Sequence, residues 1–293
     1  MKFREFCLAG LILVPLLGTG QNSLDFRQFY SNPFLFNPAY AGASGYTEFS
    51  VSYRQQWLEF IDAPSSSGFS FQQPFKSKAS LGVNFYSQNA LALRTTIIQV
   101  TFSYRIQVSD KTSFRFALSG GTGLHDLDLE GRDYSNDPLI MQAAQSQWYP
   151  AGSFGILFSA GELRLGVCLP TLFNQQEAGF GFLATNRYEH LLNQLYSIRY
   201  KIKTTTETWS VEPYILYRLN RDFQNYWDSG LLIHYKEKLG LGASFHQYNG
   251  LAILLSINTQ DLTIGYHYEL PNTESVSSTS HELQLSIKLG KRY

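Results

Sequence analysis

From Tyr46 onward, apolar and polar side chains alternate almost one for one, and this period of two limits the possible folds more than any other feature. The clearest run is Ile98 to Val108, where Ile98, Val100, Phe102, Tyr104, Ile106 and Val108 interleave with Gln99, Thr101, Ser103, Arg105 and Gln107. Successive side chains of a strand point to opposite faces, so each such run is a strand with one greasy face and one polar face. The pattern returns at Phe114/Phe116/Leu118, Tyr196/Ile198/Tyr200/Ile202, Leu262/Ile264/Tyr266/Tyr268 and Leu283/Leu285/Ile287/Leu289. Two architectures use it. A soluble sandwich hides the greasy faces against each other, whereas a membrane barrel turns them to lipid and encloses the polar ones.

Three features favour the barrel. About fourteen runs are present, at 46–55, 66–75, 79–88, 95–108, 112–125, 150–160, 162–170, 194–204, 209–219, 224–235, 238–247, 250–258, 261–270 and 281–290. An even number is what single-chain bacterial barrels have, and many runs match the length needed to cross a membrane at a tilt. The links also alternate in length. Those around 76–78, 109–111, 161, 205–206, 236–237 and 259–260 are short, while the long ones, 126–149, 171–193 and 271–280, all follow odd-numbered runs. Short periplasmic turns and long outer loops produce that parity, and it puts the chain termini on the periplasmic side. Finally, Tyr86, Trp148, Tyr149, Trp209, Tyr226, Trp227 and Tyr293 sit near run ends, where interfacial girdles form. The expected fold is therefore all-β: a transmembrane antiparallel β-barrel of about fourteen strands, lying in outer-membrane lipid. A secreted sandwich adhesin is the alternative.

The start of the chain fits export. Lys2 and Arg4 precede an apolar stretch, Phe6 to Leu17, and then Gly18-Thr19-Gly20. This is the plan of a secretory signal peptide over 1–20, cleaved before Gln21. What remains divides into a lead-in or plug at 21–45 and a barrel at 46–293. Cys168 is the only cysteine after residue 20, so no disulfide framework or cysteine-based metal site can form within that part. The longest later apolar run, Leu251 to Leu255, is far too short for a spanning helix. Formal charge is zero and no basic patch stands out, which argues against nucleic acid as a partner.

The stretch from Asn32 to Trp57 has a different character. Asn37-Pro38-Ala39-Tyr40-Ala41-Gly42 is turn-rich: Pro38 fixes its own φ and biases Asn37 to an extended conformation, and Gly42 permits a sharp bend. Together with Tyr53-Arg54-Gln55-Gln56-Trp57 and Ala63-Pro64, it resembles the opening of the PorP/SprF family. The closing segments Thr263 to Tyr268 and His281 to Leu285 are similar to that family's ending, with Glu269 where Asp is common. The resemblance implies an outer-membrane barrel of the type IX secretion and gliding machinery of Bacteroidetes-type bacteria. It implies partners among the secretion proteins, a secreted adhesin-like substrate with a C-terminal sorting domain, and a periplasmic peptidoglycan-associated protein, with no catalytic residues. On that basis Asn37, Pro38, Tyr40, Arg54 and Trp57 are candidates for partner binding. Each also has a structural reading as turn former, φ lock, girdle ring or lumen charge. The competing function is an outer-membrane channel for small solutes.

Other chemistry is sparse. Asp126, Asp128, Glu130, Gly131 and Asp137 fall at positions 1, 3, 5, 6 and 12 of a calcium loop, but position 12 is Asp rather than Glu and flanking helices are lacking. A solvated outer loop is the plainer reading. The six histidines make no zinc-type spacing, and no G-x-S-x-G motif is present, so no enzyme and no cofactor is expected. The inward charges Arg54, Arg105, Arg115, Arg199, Lys201, Lys203, Glu212, Arg218, Glu269 and Lys288 come in both signs. They leave two possibilities open: mutual pairing in a closed lumen, or a cavity that docks a protein segment.

Overall fold

The computed structural model describes residues 26–90, 93–127, 146–173, 191, 193–206, 208–220, 224–271 and 278–290. Its strands are β1 (Thr47–Gln55), β2 (Ser65–Pro74), β3 (Ala79–Ala90), β4 (Leu93–Ser109), β5 (Thr112–Leu127), β6 (Gln147–Ala160) and β7 (Leu163–Leu169). They continue with β8 (Gln194–Tyr200, resuming over Ile202–Lys203), β9 (Trp209–Leu219), β10 (Tyr226–Tyr235), β11 (Leu239–His246), β12 (Gly250–Asn258), β13 (Leu262–Glu269) and β14 (Ser280–Leu289). Both pieces of β8 pair with β9, so the interruption at Lys201 breaks one strand rather than adding another. Every strand runs antiparallel to its sequence neighbours, and β1 pairs with β14 from Thr47↔Leu289 to Gln55↔His281. The result is a closed, fourteen-stranded meander. Closure gives each described strand a partner on both sides, which a lipid surrounding requires of the backbone polar groups.

The six links after even strands gather at one end with the start of β1 and the finish of β14. The turn after β10 shows why they can be tight. Lys236 and Glu237 are both left-handed, at φ 51° and 58°, and Lys238 N–H donates to the Tyr235 carbonyl at 3.0 Å. This type I′ geometry matches the strand twist.

The expected polarity holds. Val51, Val100, Phe102, Leu283 and Leu285 face outward and exposed, while Ser50, Ser52, Arg54, Thr101, Ser103 and Gln284 are buried on the opposite face. Trp148, Trp209 and Trp227 stand on the outer surface as girdle rings should, but Tyr86, Tyr149 and Tyr226 are buried and turn inward. Parity decides this: Tyr149 and Tyr226 each lie one residue from an outward tryptophan and must face the other way.

The lumen is not simply polar. Residues 26–46 thread it, and Phe26, Phe29, Tyr30, Phe34, Leu35, Phe36 and Tyr40 build a hydrophobic core inside the barrel with wall residues such as Leu157, Tyr214, Leu232 and Leu254. Phe29 sits edge-on to Phe36 at 5.5 Å and to Tyr40 at 5.9 Å, and Phe26 meets Tyr86 at 5.8 Å. Small inward residues leave the room. A Cβ on Gly155 would come within 2.1 Å of Asn37 Oδ1, so only a glycine lets the plug approach the wall there.

Candidate functional site

The residues singled out above do not form one cluster; they mark three levels at which the plug meets the barrel. At the level of the short turns, Gly42 takes φ 70°, the bend its position calls for, and its N–H donates to Gln72 Oε1 at 2.8 Å. The Ala41 carbonyl accepts from Ser103 Oγ at 2.8 Å and the Gly42 carbonyl from Arg115 Nη2 at 3.3 Å.

Midway, Asn37 caps the short 3₁₀ turn Pro38–Tyr40. Its extended backbone and its Oδ1, which accepts from the Ala39 N–H at 2.9 Å, close the first turn, and Pro38 occupies the position where no N–H is needed. The same side chain donates from Nδ2 to the Val167 carbonyl at 3.2 Å and the Ile156 carbonyl at 3.4 Å. Asn37 therefore stitches the plug to β6 and β7. Tyr40 is buried against Phe29.

Toward the other end lies a charged latch. Arg54, wholly buried, donates from Nη2 to Glu269 Oε2 at 2.7 Å, and its Nη1 lies 3.7 Å from Glu282. Arg27 of the plug pairs with Glu269 at 3.4 Å. Glu282 accepts the backbone N–H of Arg27 at 2.7 Å and of Gln28 at 3.2 Å, while Gln28 Nε2 donates to the Glu282 carbonyl at 3.0 Å. Burial, followed by the neighbouring Glu282 charge, pushes the Tyr30 hydroxyl well above the ordinary phenol value. It stays protonated and donates to Gln28 Oε1 at 3.1 Å. Here buried charges of opposite sign pair with one another and hold the plug.

Glu282 and Arg27 are not among the candidates that the sequence offers by motif. Glu282 shares the inward parity of Gln284, Ser286 and Lys288, so the alternation alone is enough to find it. Arg27 carries no local signal.

Trp57 lies apart, in the link after β1, with φ 43° and its N–H donating to Ser280 Oγ at 3.3 Å. Beside it, Leu58, Phe60 and Ile61 are exposed, Ile61 almost completely at 94 %. Among the calcium-loop candidates, Asp126 accepts from Ser146 Oγ at 2.8 Å, whereas Asp128, Glu130 and Asp137 lie outside the described residues. Among the described residues no three His, Cys, Asp or Glu side chains cluster as metal ligands.

A closed meander with greasy outside, polar wall and internal plug defines an outer-membrane β-barrel. Solved structures agree on the fold. The chain is similar to the CymD monoaromatic hydrocarbon channel (12% identity, TM-score 0.54, 89% of this chain and 94% of that one). It is also similar to a deltaS2 mutant of the TodX monoaromatic hydrocarbon channel (11%, 0.54, 89% and 94%). A third is the toluene transporter TodX of Pseudomonas putida (9%, 0.51, 87% and 92%). At such identities the likeness is one of fold. No curated protein matches the chain. The model of the type IX secretion system membrane protein PorP/SprF family matches residues 18–287, and the chain belongs to that family. Membership associates it with the type IX secretion machinery, and the family is not an enzyme family.

Proposed function

We propose that the barrel binds or anchors the C-terminal domain of a secreted, adhesin-like protein and contacts periplasmic secretion components at its other end. The observation that carries this reading is the plug: residues 26–46 pack an aromatic core inside the barrel, latched at three levels, which leaves the two rims as the surfaces for protein partners. The short-turn rim, where β1 begins and β14 ends, faces the periplasm, as bacterial barrels place their short turns. There it meets the machinery, a peptidoglycan-associated protein included. The opposite rim carries Trp57 with exposed Leu58, Phe60 and Ile61, an apolar prominence suited to a protein partner. Asn37, Pro38, Tyr40 and Arg54 serve binding indirectly, by holding the plug that shapes both rims.

The test is affinity purification from detergent-solubilised envelopes with identification of what is retained, for the unaltered protein and for a Phe60→Ser/Ile61→Ser variant. Secretion components and a large exported protein are expected with the former, and loss of the exported protein alone with the latter. Recovery of neither, together with steady ion conductance of the pure protein in a bilayer, would replace this reading with that of a small-solute channel.

A further inference from the structure

Beside the plug, in the half of the lumen away from the short turns, lies a cavity of about 140 Å³ walled by β3 to β6 and β9 and by the links near residues 170 and 193. Its lining mixes apolar side chains, Leu35 and Ile97 among them, with neutral polar ones. Asn84, Gln88, Thr95, Gln99, His125, Tyr149 and Asn193 contribute, and among the described residues no Asp or Glu does. One full charge from the described residues faces it, that of Arg218, only 6% exposed.

Arg218 is unusual among the described buried cations of this barrel. Arg27 and Arg54 each pair with a carboxylate, and Arg115 is engaged by Ser80, Ser103 and the Gly42 carbonyl. Arg218 instead has its guanidinium 5.5 Å from the centre of the Tyr226 ring, and its fully buried Nε has no hydrogen-bond partner among the described residues. A ring face offsets part of the cost of burying a guanidinium, but it leaves the planar fork of N–H donors without an acceptor. Two lining residues keep a polar atom out of the cavity's reach: Tyr149 Oη and Asn84 Oδ1 are fully buried, and a Cβ on Gly123 would stand 2.4 Å from the Tyr149 hydroxyl. Tyr149 is held flat by stacking on His125 at 4.5 Å, and Thr95 Oγ1 is 3.0 Å from His125 Nδ1. The wall is thus pre-set, and Arg218 is the one charge on it, without an acceptor among the described residues.

We infer that this cavity is a binding site for a small monocarboxylate, with Arg218 receiving the carboxylate and the neutral lining enclosing the remainder. A single guanidinium matches one negative charge and takes a carboxylate through two parallel N–H···O bonds. A dianion would leave its second charge buried against neutral amides. The volume also sets a limit, since a cavity of roughly this size holds benzene, about six heavy atoms. A short-chain organic acid fits, as does the final residue of a peptide with a free C-terminus. The site does not depend on the secretion role proposed above.

The test is calorimetric titration of the full-length protein in detergent with three probes: sodium propionate, the tetrapeptide Gly-Gly-Gly-Ala, and the same peptide amidated at its C-terminus. Saturable binding is expected for at least one of the first two and none for the amidated peptide. Propionate alone indicates a free acid, and stronger binding of the free-acid peptide indicates a chain terminus. Arg218→Gln should weaken the bound probe about tenfold to a hundredfold, and Arg218→Lys by less. If Arg218→Gln does not fold, Arg218→Lys decides. Absence of saturable binding by every probe, or equal affinity in these variants and the unaltered protein, would overturn the assignment.

Discussion

Replacing Glu282 with alanine tests whether the plug is held as described. The carboxylate accepts two backbone N–H groups of the plug, at 2.7 and 3.2 Å, and faces Arg54 at 3.7 Å. Hydrogen bonds to a charged acceptor contribute about 1.5–3 kcal/mol each, so losing both weakens docking by about 3–6 kcal/mol. That corresponds to a rise in the undocked population of about 10² to 10⁴. The Arg54 contact, at 3.7 Å, is longer than a hydrogen bond and is left out of the sum.

Cys168 supplies the readout. It is buried in the same core as the plug and is the only cysteine among the described residues. It lies two positions along β7 from Gly166, where an added Cβ would stand 3.1 Å from Asn37 Nδ2. A docked plug therefore shields its thiol. The expected result is that a water-soluble maleimide reacts with Cys168 in Glu282→Ala at least about a hundredfold faster than in the unaltered protein, while the barrel keeps its folded mobility on an unheated gel. Glu282→Gln, which retains one acceptor oxygen, should fall between the two. An unchanged labelling rate in Glu282→Ala, with the barrel intact, would refute the latch.

Two further perturbations separate plug from wall. Asn37→Ala removes the cap on the Ala39 N–H and both donations to the wall, and should destabilise the docked plug by about 1–3 kcal/mol, read as faster Cys168 labelling. Val100→Arg places a charge on the exposed face of β4 and should cost about 2–4 kcal/mol if it lies near the bilayer midplane, read as a lower urea midpoint for refolding into lipid vesicles with unchanged Cys168 protection.

The wall is legible in the sequence because alternation is a local property. Each strand's inward and outward sets follow from parity, and the observed strands differ from the expected runs by three residues or fewer at their ends. The girdle tyrosines show where closeness to a strand end misleads: it places Tyr149 and Tyr226 at the lipid interface, although parity with Trp148 and Trp227 already turns them inward. The plug is harder to read because its partners are remote. Arg27 meets Glu282 across 255 positions of sequence and Asn37 meets Val167 across 130, and no periodicity reports such pairings. A signal does exist. Seven large apolar side chains between Phe26 and Tyr40 are too many for a solvated lead-in, and a wall lined by small and polar residues offers the complementary space.

That division also orders folding. The plug's contacts are with β2 through Gln72, with β6 and β7 through Asn37, and with β13 and β14 through Glu269 and Glu282. No subset of neighbouring strands supplies all of them, so the three levels can be satisfied together only after β1 has paired with β14. Before closure, the aromatic residues of the plug have no enclosed core to enter. Protection of Cys168 should therefore appear with, and not before, the closed barrel. During refolding into lipid vesicles, maleimide pulses at successive times are expected to find Cys168 reactive in chains that still migrate as unfolded on an unheated gel, and shielded in those that migrate as folded. A population that shields Cys168 while still migrating as unfolded would mean that the plug nucleates the wall instead of docking into it.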